Sequence, residues 1–116
     1  MPAANVPLVL LPRYTGLAGA TTFRTVALDV NDYVNAVVNL WRGKLIGTFF
    51  KATFEESTDQ IEWTTCGGTT GDFDPGEETE AQVVAHLQKR WFRIAIEITG
   101  TNPGVSCWAV GGLERR

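Results

Sequence analysis

Few side chains in this chain of 116 residues have the chemistry to act as acid, base or nucleophile. The chain has a single histidine, His86, which lies in a segment of alternating polar and apolar residues. Nucleophilic catalysis needs a histidine beside a Ser or Cys, with a third group that orients the ring. No such motif surrounds His86, so we interpret it as a solvated strand residue. The sequence predicts no catalytic residue and no enzyme.

Carboxylates are more numerous, and two groups of them are candidates for a catalytic pair or for a calcium site. Glu55 and Glu56 are neighbours in a strand-like segment, so their side chains point to opposite faces and cannot act as a pair. In the glycine-rich loop 67–78, Asp72 and Asp74 precede Gly76 at the spacing of a calcium loop. The loop lacks the third oxygen ligand and the distal glutamate of a complete site. We therefore interpret it as a solvated loop tip, with a structural Ca²⁺ site as the alternative.

Cysteine and glycine motifs give no indication of a metal or a cofactor. Cys66 and Cys107 are too few for a disulfide framework, and we favour two buried thiols over a disulfide. No Cys-x-x-Cys pair is present, and the glycines of residues 67–71 are not followed by the Lys-Ser/Thr of a phosphate loop. We expect no metal site and no cofactor.

The charge pattern argues against nucleic acid and membrane partners. The formal net charge is −3, and the basic residues are scattered rather than collected in a stripe. Prolines at positions 2, 7 and 12 interrupt the apolar N-terminal segment, which lacks the features of an export signal. No apolar run approaches the roughly twenty residues that cross a bilayer.

Alternating apolar residues predict an all-β fold. Phe92, Ile94, Ile96 and Ile98 define one buried strand face, and residues 47–56 define another. In residues 36–41 both faces are apolar, with Val37 and Trp41 opposite Ala36, Val38 and Leu40, which is typical of a central strand. Residues 23–30 are expected to form one strand, whereas residues 79–87 fit either a strand or a short helix.

Turn signals every ten or so residues predict about eight strands in an antiparallel β-sandwich of jelly-roll type. We assign this sandwich to residues 21–116. The proline- and glycine-containing residues 1–20 are expected to form an extended N-terminal arm, in which residues 6–11 can serve as an edge strand.

Aromatic residues are the remaining lead, because the chain has four tryptophans. Trp63 is expected to cap the core. Trp91 and Trp108 alternate against core residues, which predicts that they lie on non-core faces of neighbouring strands. Such a pair would form either a platform for sugar rings or a protein interface.

Three segments carry a resemblance to a known family: residues 55–63 (EESTDQIEW), residues 90–94 (RWFRI) and the turn 100–104 (GTNPG). Together they resemble small virion structural proteins of tailed bacteriophages, over residues 22–114. The chain departs from the commonest form in having Gln60 where the hairpin often has glycine. The resemblance implies a β-sandwich subunit that sits on a capsid or tail and catalyses nothing.

The expected function is therefore that of a capsid decoration (cement) protein, located in the virion and assembled in the host cytoplasm. We expect a homo-oligomer, with a trimer favoured, that contacts the major capsid protein or other virion subunits. The arm is expected to add to a neighbouring subunit, so that deletion of residues 1–14 would leave the fold intact. The candidate interface residues are Val6, Leu8, Val9, Leu10, Leu11, Tyr14, Trp91 and Trp108.

Two alternatives to this function stay open. A tail or head-completion component is a close variant of the same idea. A carbohydrate-binding β-sandwich module belongs to another class and would use Trp91 or Trp108 to stack on a sugar.

Overall fold

The computed structural model describes residues 5–116, and side chains from Val6 onward. Within these residues the chain forms nine strands and no helix, which confirms the all-β prediction. The part of the chain described thus contains no helix of the length and apolarity that a membrane span requires. The strands are β1 (Asn5–Ala18), β2 (Thr22–Arg24), β3 (Leu28–Asp29), β4 (Tyr33–Arg42), β5 (Phe50–Ser57), β6 (Thr64–Thr65), β7 (Thr79–His86), β8 (Trp91–Ile98) and β9 (Gly104–Arg115).

The strands pair antiparallel in two sheets. Sheet one has the order β1-β9-β4-β7, and sheet two has the order β2-β8-β5-β6, with β3 also paired to β8. The pairings are nested: β1 pairs with β9, β2 and β3 with β8, β4 with β7, and β5 with β6. The chain therefore folds as a long antiparallel ribbon of strand pairs, and successive pairs along the ribbon lie alternately in sheet one and in sheet two.

The core lies between the two sheets and follows the alternation of the sequence. From sheet one, Ala36, Val38 and Leu40 of β4 are fully buried. From sheet two, Phe92 and Ile94 of β8 face them, with Phe54 of the neighbouring β5. Each large apolar side chain buried in this way contributes about 1.5–3 kcal/mol of transfer free energy. The predicted alternation of β4, β5 and β8 is confirmed.

The N-terminal segment is part of the sandwich. β1 pairs with β9 of the same chain from Asn5 opposite Glu114 to Ala18 opposite Gly104, and Leu8 is 4% exposed within the core. The expected boundary between an arm of residues 1–20 and a domain of residues 21–116 is therefore wrong for the described residues. Prolines fit β1 because it is an edge strand, where a missing N–H costs no ladder bond. Residues 1–4 of the expected arm lie outside the description.

Residues 23–30 differ from the sequence prediction, and residues 79–87 adopt one of the two structures that the sequence allowed. Residues 23–30 form two short strands instead of one, because the Thr25 hydroxyl accepts the Ile94 N–H (2.9 Å) between them. Val26 is 79% exposed in this break. β7 resolves the ambiguity of residues 79–87 in favour of a strand, paired with β4 along its whole length.

The turn after β5 is built by side-chain acceptors. Asp59 Oδ1 accepts the N–H groups of Ile61 (2.8 Å) and Glu62 (3.0 Å), and Ser57 Oγ accepts that of Gln60 (2.9 Å). The Glu62 and Ile61 hydrogen bonds hold the pKa of Asp59 below its ordinary value. Gln60 itself has a φ of 63°, the left-handed region that favours glycine. The structure thus explains why glycine suits this position.

Candidate interaction face

The outer face of sheet two is a charged surface made of ion pairs. Arg93 Nε donates to Glu55 Oε1 (2.9 Å), and Lys51 Nζ lies 3.4 Å from Glu97 Oε1. The Arg93 guanidinium also covers the ring of Trp63, 3.8 Å from its centroid. Trp63 therefore stacks on the outside of sheet two, and the expectation that it caps the core is wrong. Paired charges of this kind are typical of a face that meets water.

The outer face of sheet one carries more apolar side chains than that of sheet two, and we call it the apolar face. Its side chains lie in four rows across the strands, in the order β1, β9, β4, β7. The first row has Trp108, Trp41 and Glu80, the second has Val9, Val110, Asn39 and Gln82, the third has Pro7, Gly112, Val37 and Val84, and the fourth has Glu114, Asn35 and His86. Val9 is 62% exposed and Val84 36%. A solvated sheet face is normally polar, so this one is unusually apolar.

An aromatic cluster forms the first row of the apolar face. The rings of Trp41 and Trp108 stack with centroids 4.3 Å apart and an interplanar angle of 13°. Tyr14 meets both edge-on, at 5.3 Å from Trp108 and 6.1 Å from Trp41. The Arg13 guanidinium lies 4.6 Å from the Trp108 centroid. These contacts combine apolar burial, aromatic stacking and a cation–π interaction.

A bulge in β1 brings Tyr14 and Arg13 over this pair. Between Leu11, opposite Ala109, and Thr15, opposite Cys107, β1 has three residues where β9 has only Trp108. The extra length arches outward, and Tyr14 adopts a φ of 61°. Trp108 is left 7% exposed, and its Nε1 has no hydrogen-bond partner among residues 5–116.

A trough of about 530 Å³ runs along β9 beside the aromatic cluster. Its floor is Gly111 and Gly112, and its lining includes Pro7 on the β1 side and Val37 on the β4 side, with Glu114 at one end. Gly111 is required by the packing of the strands, because a Cβ there would overlap the carbonyl oxygen of Val37. Gly112, in the third row, has no side chain on the outer face, and this leaves room for a side chain from another molecule.

The fourth row holds a short chain of hydrogen bonds that includes the only histidine. Asn35 Nδ2 donates to Glu114 Oε1 (3.4 Å), which turns the Asn35 carbonyl oxygen towards His86 Nδ1 (2.9 Å). His86 Nδ1 is then the proton-bearing nitrogen. The partner of His86 is thus an amide that fixes its ring, instead of the hydroxyl or thiol that a nucleophilic site needs.

The carboxylates of loop 67–78 are engaged by cations. Arg42 binds Asp74 through Nε (2.7 Å) and Nη2 (3.2 Å), and Lys51 lies 3.5 Å from Asp72. Partial burial raises the pKa of Asp74, but the hydrogen bonds from Arg42 and the Gly76 N–H outweigh it and hold this pKa below its ordinary value. In the part of the chain that the structure describes, no three His, Cys, Asp or Glu side chains converge as a metal site would require.

The candidate interface residues fall in three different environments. Val9 and Tyr14 are exposed on the apolar face, where Trp108 also lies but is buried. Leu8 is in the core, and Val6, Leu10 and Leu11 pack partly buried against it. Trp91 is half-buried at the start of β8, with the Arg90 guanidinium 5.2 Å from its ring centroid.

Trp91 and Trp108 do not share a surface, contrary to expectation. Their strands, β8 and β9, are consecutive in sequence but belong to different sheets, because the nested pairing places β8 between β2 and β5. Sequence reasoning missed Trp41, Val37, Val84 and Gly112 as surface residues of interest. The signal for the first two was present in the double-sided apolar pattern of β4, which here reflects a core on one face and the apolar face on the other.

Comparisons of this chain with protein-family models, with curated proteins and with solved structures give no match. The two outer faces and the arrangement of their residues are therefore the features from which we infer a function.

Proposed function

We propose that this protein is a non-enzymatic structural subunit that works by binding other protein surfaces, of the capsid decoration (cement) type found on tailed bacteriophages. The observation that carries the proposal is the contrast between the outer faces. Sheet two presents ion pairs such as Arg93–Glu55, whereas sheet one presents exposed Val9, Val84 and Tyr14 around a trough. Contiguous apolar surface with an aromatic anchor is characteristic of protein interfaces.

The topology supports the same proposal. The nested order, with β1 beside β9, β4 beside β7 and β5 beside β6, is the one expected of a jelly roll. Jelly rolls build viral capsid domains, but also lectins and cupins. Because one fold serves several functions, we assign the function from the surface and use the fold only as consistent support.

The partners we propose are other copies of the chain and the major capsid protein, in the virion after assembly in the host cytoplasm. A trimer suits a three-fold position on a head, and remains our proposal for the particle-bound form. A tail or head-completion component would use the same face in the same way.

Binding to heads tests the proposal directly. Heads assembled from the major capsid protein of the same genome are mixed with the purified chain and sedimented. We expect Val9→Glu and Val84→Glu to lower the bound fraction at least tenfold, because both place a charge on the apolar face. Val26→Glu, at a site that is 79% exposed between β2 and β3, is the matched control and should bind normally. Equal binding by all three variants would refute the role of the face.

The carbohydrate-binding alternative receives less support from the tryptophans. Trp108 is covered by Tyr14, and Trp91 lies under Arg90. The trough offers a sugar polar groups from Asn39 and Glu114. Titration of tryptophan fluorescence with oligosaccharides distinguishes the two functions, because only the alternative predicts a saturable change.

A further inference from the structure

We propose that a second copy of this chain occupies the apolar face, related by a two-fold axis that runs parallel to the strands between β9 and β4. The inference takes from the proposed function only that the face is a protein contact. A face that pairs with itself must be complementary to its own rotated image. Three features of the rows meet this condition.

The rotation fixes which strands meet. It keeps each row at its own level, places β4 of one copy over β9 of the other, and places β7 over β1. Two sheets packed in this way lie about 10 Å apart with strands nearly aligned, as in an ordinary sandwich. The outer sheets of the two copies would then form a second, intermolecular core.

The third row supplies complementary shape. Val37 of one copy comes to lie over Gly112 of the other, where the glycine floor leaves the trough of about 530 Å³. Val84 comes to lie over Pro7 at the edge of the same trough. Each copy fills the trough of its partner, so the contact occurs twice.

The first row supplies complementary charge. Arg13 belongs to the bulge of β1 beside this row, with its guanidinium over Trp108, and Glu80 is at the β7 side, so the rotation brings Arg13 of each copy towards Glu80 of the other. Neither side chain has an ion-pair partner within 4.0 Å among residues 5–116. In the fourth row Glu114 meets the neutral amide of Asn35, so no like charges are opposed.

An axis across the strands fits less well. It would exchange the first row with the fourth, which places Arg13 away from Glu80 and sets the bulky Trp108 against Glu114. The valine knob and the glycine trough would no longer be opposed. The axis along the strands is therefore the one that the residues favour.

The size of the face predicts a weak dimer. Four strands about 4.8 Å apart and eight paired residues of about 3.3 Å each cover roughly 500 Å² on each copy. Stable complexes bury about 800 Å² per partner. We therefore expect a dimer that dissociates in the micromolar range and differs in mass from the trimer proposed on the particle.

Charge reversal with sedimentation equilibrium tests the inference on the full chain. We expect Arg13→Glu alone and Glu80→Arg alone each to raise the dimer dissociation constant about tenfold, because each opposes like charges twice. The double variant should recover most of the original affinity, since it restores both pairs with exchanged signs. The matched control is the double variant Arg24→Glu with Glu62→Arg, which changes the same charges at exposed sites away from the face and should dimerise normally.

Several outcomes would overturn the inference: a monomer at all concentrations up to millimolar, a trimer in solution, or a double variant that stays as weak as the single ones. Thermal unfolding of each variant establishes that the fold is retained. Dimerisation without binding to heads would overturn the decoration proposal and leave the two-fold pair standing. Binding to heads by a chain that stays monomeric in solution at all concentrations up to millimolar would do the reverse.

A cross-link gives a second readout that does not depend on charge. The second row brings Val9 of one copy over Gln82 of the other. A variant with Val9→Cys and Gln82→Cys should be joined into a dimer by a bismaleimide that spans about 10 Å. The native Cys66 and Cys107 are buried and should not react. A cross-linked yield no higher than that of Val9→Cys alone would contradict the pairing.

Discussion

Glu56 illustrates how one residue holds distant parts of the sandwich together. Its side chain is 3% exposed, and Oε1 accepts the N–H groups of Gln88 (2.8 Å) and Lys89 (3.1 Å) in the turn between β7 and β8. A buried carboxylate is tolerated when donors satisfy it in this way. The opposite orientations of Glu55 and Glu56 followed from strand geometry. The donors to Glu56, more than thirty residues away in sequence, could not be predicted in this way, because alternation shows which face of the sheet a side chain is on but not which residue it contacts.

We expect Glu56→Ala to lower the free energy of unfolding by about 2–3 kcal/mol, because it leaves two partly buried N–H groups without their acceptor. Glu56→Gln keeps an acceptor and should cost less. Urea unfolding followed by fluorescence measures both. The matched control is Glu97→Ala, which removes a partly exposed partner of Lys51 and should cost at most about 1 kcal/mol. An equal loss of unfolding free energy at the two positions would show that the hydrogen bonds of Glu56 do not stabilise the turn between β7 and β8.

At the scale of elements, β1 decides whether the chain has an arm or an edge strand. Its pairing with β9 is interrupted only by register shifts between Val9 and Thr15, where the bulge carries Tyr14 outward. One strand thus closes sheet one and also shapes the apolar face. Deletion of residues 1–14 should therefore destabilise the fold, contrary to the expectation from sequence.

A pair of neighbouring alanine substitutions tests the place of β1. Leu8→Ala should lower the free energy of unfolding by about 2–5 kcal/mol, because Leu8 is 4% exposed in the core. Val9→Ala should change it by no more than about 0.5 kcal/mol, because Val9 is 62% exposed. Chemical denaturation of both variants measures the difference. If both substitutions changed the free energy of unfolding only slightly, β1 would be a detached arm and not part of the sandwich.

The strands that the sequence predicted well are those with a strong two-residue period and a buried face, such as β8 with its alternating isoleucines. The segments that it predicted poorly depend on contacts far away in sequence. β2 and β3 are separated by a hydrogen bond to Ile94, and β1 is an edge strand only because β9 is long enough to pair with it. The bulge at Tyr14 has no local signal beyond Pro12.

At the scale of the whole molecule, the fold class was predictable and the surface was not. Composition and alternation indicated two antiparallel sheets, whereas the position of each tryptophan depended on which strands share a sheet. Trp41 and Trp108 became neighbours because β4 pairs with β9, and Trp91 was separated from them because β8 joins sheet two. The candidate face therefore required the strand order, which no short segment of sequence contains.

The two thiols offer a probe of how cooperatively the sandwich unfolds. Burial, with the nearby Glu56 and Glu55 charges, raises the pKa of Cys66 to about 12, and burial raises the pKa of Cys107 to about 11. Since the thiolate is the reactive form, we expect no labelling by a disulfide reagent at pH 8 in the native state. In urea both thiols should react at the rate of global unfolding. Faster labelling of Cys107 alone would reveal independent opening of sheet one.

The nested pairing also has a consequence for how the chain reaches its native state. β1 pairs with β9, the ninth strand in chain order, so sheet one cannot close until all nine strands described here have been synthesised. The hairpin of β5 and β6 lies innermost in the ribbon and brings together the shortest loop. Folding is then expected to spread outward from this hairpin and to be slow, on the order of milliseconds to seconds, as in other β proteins dominated by contacts between distant residues. Until β9 arrives, β4 and β1 expose unpaired edges, and these are the surfaces that a nascent chain must keep from its neighbours.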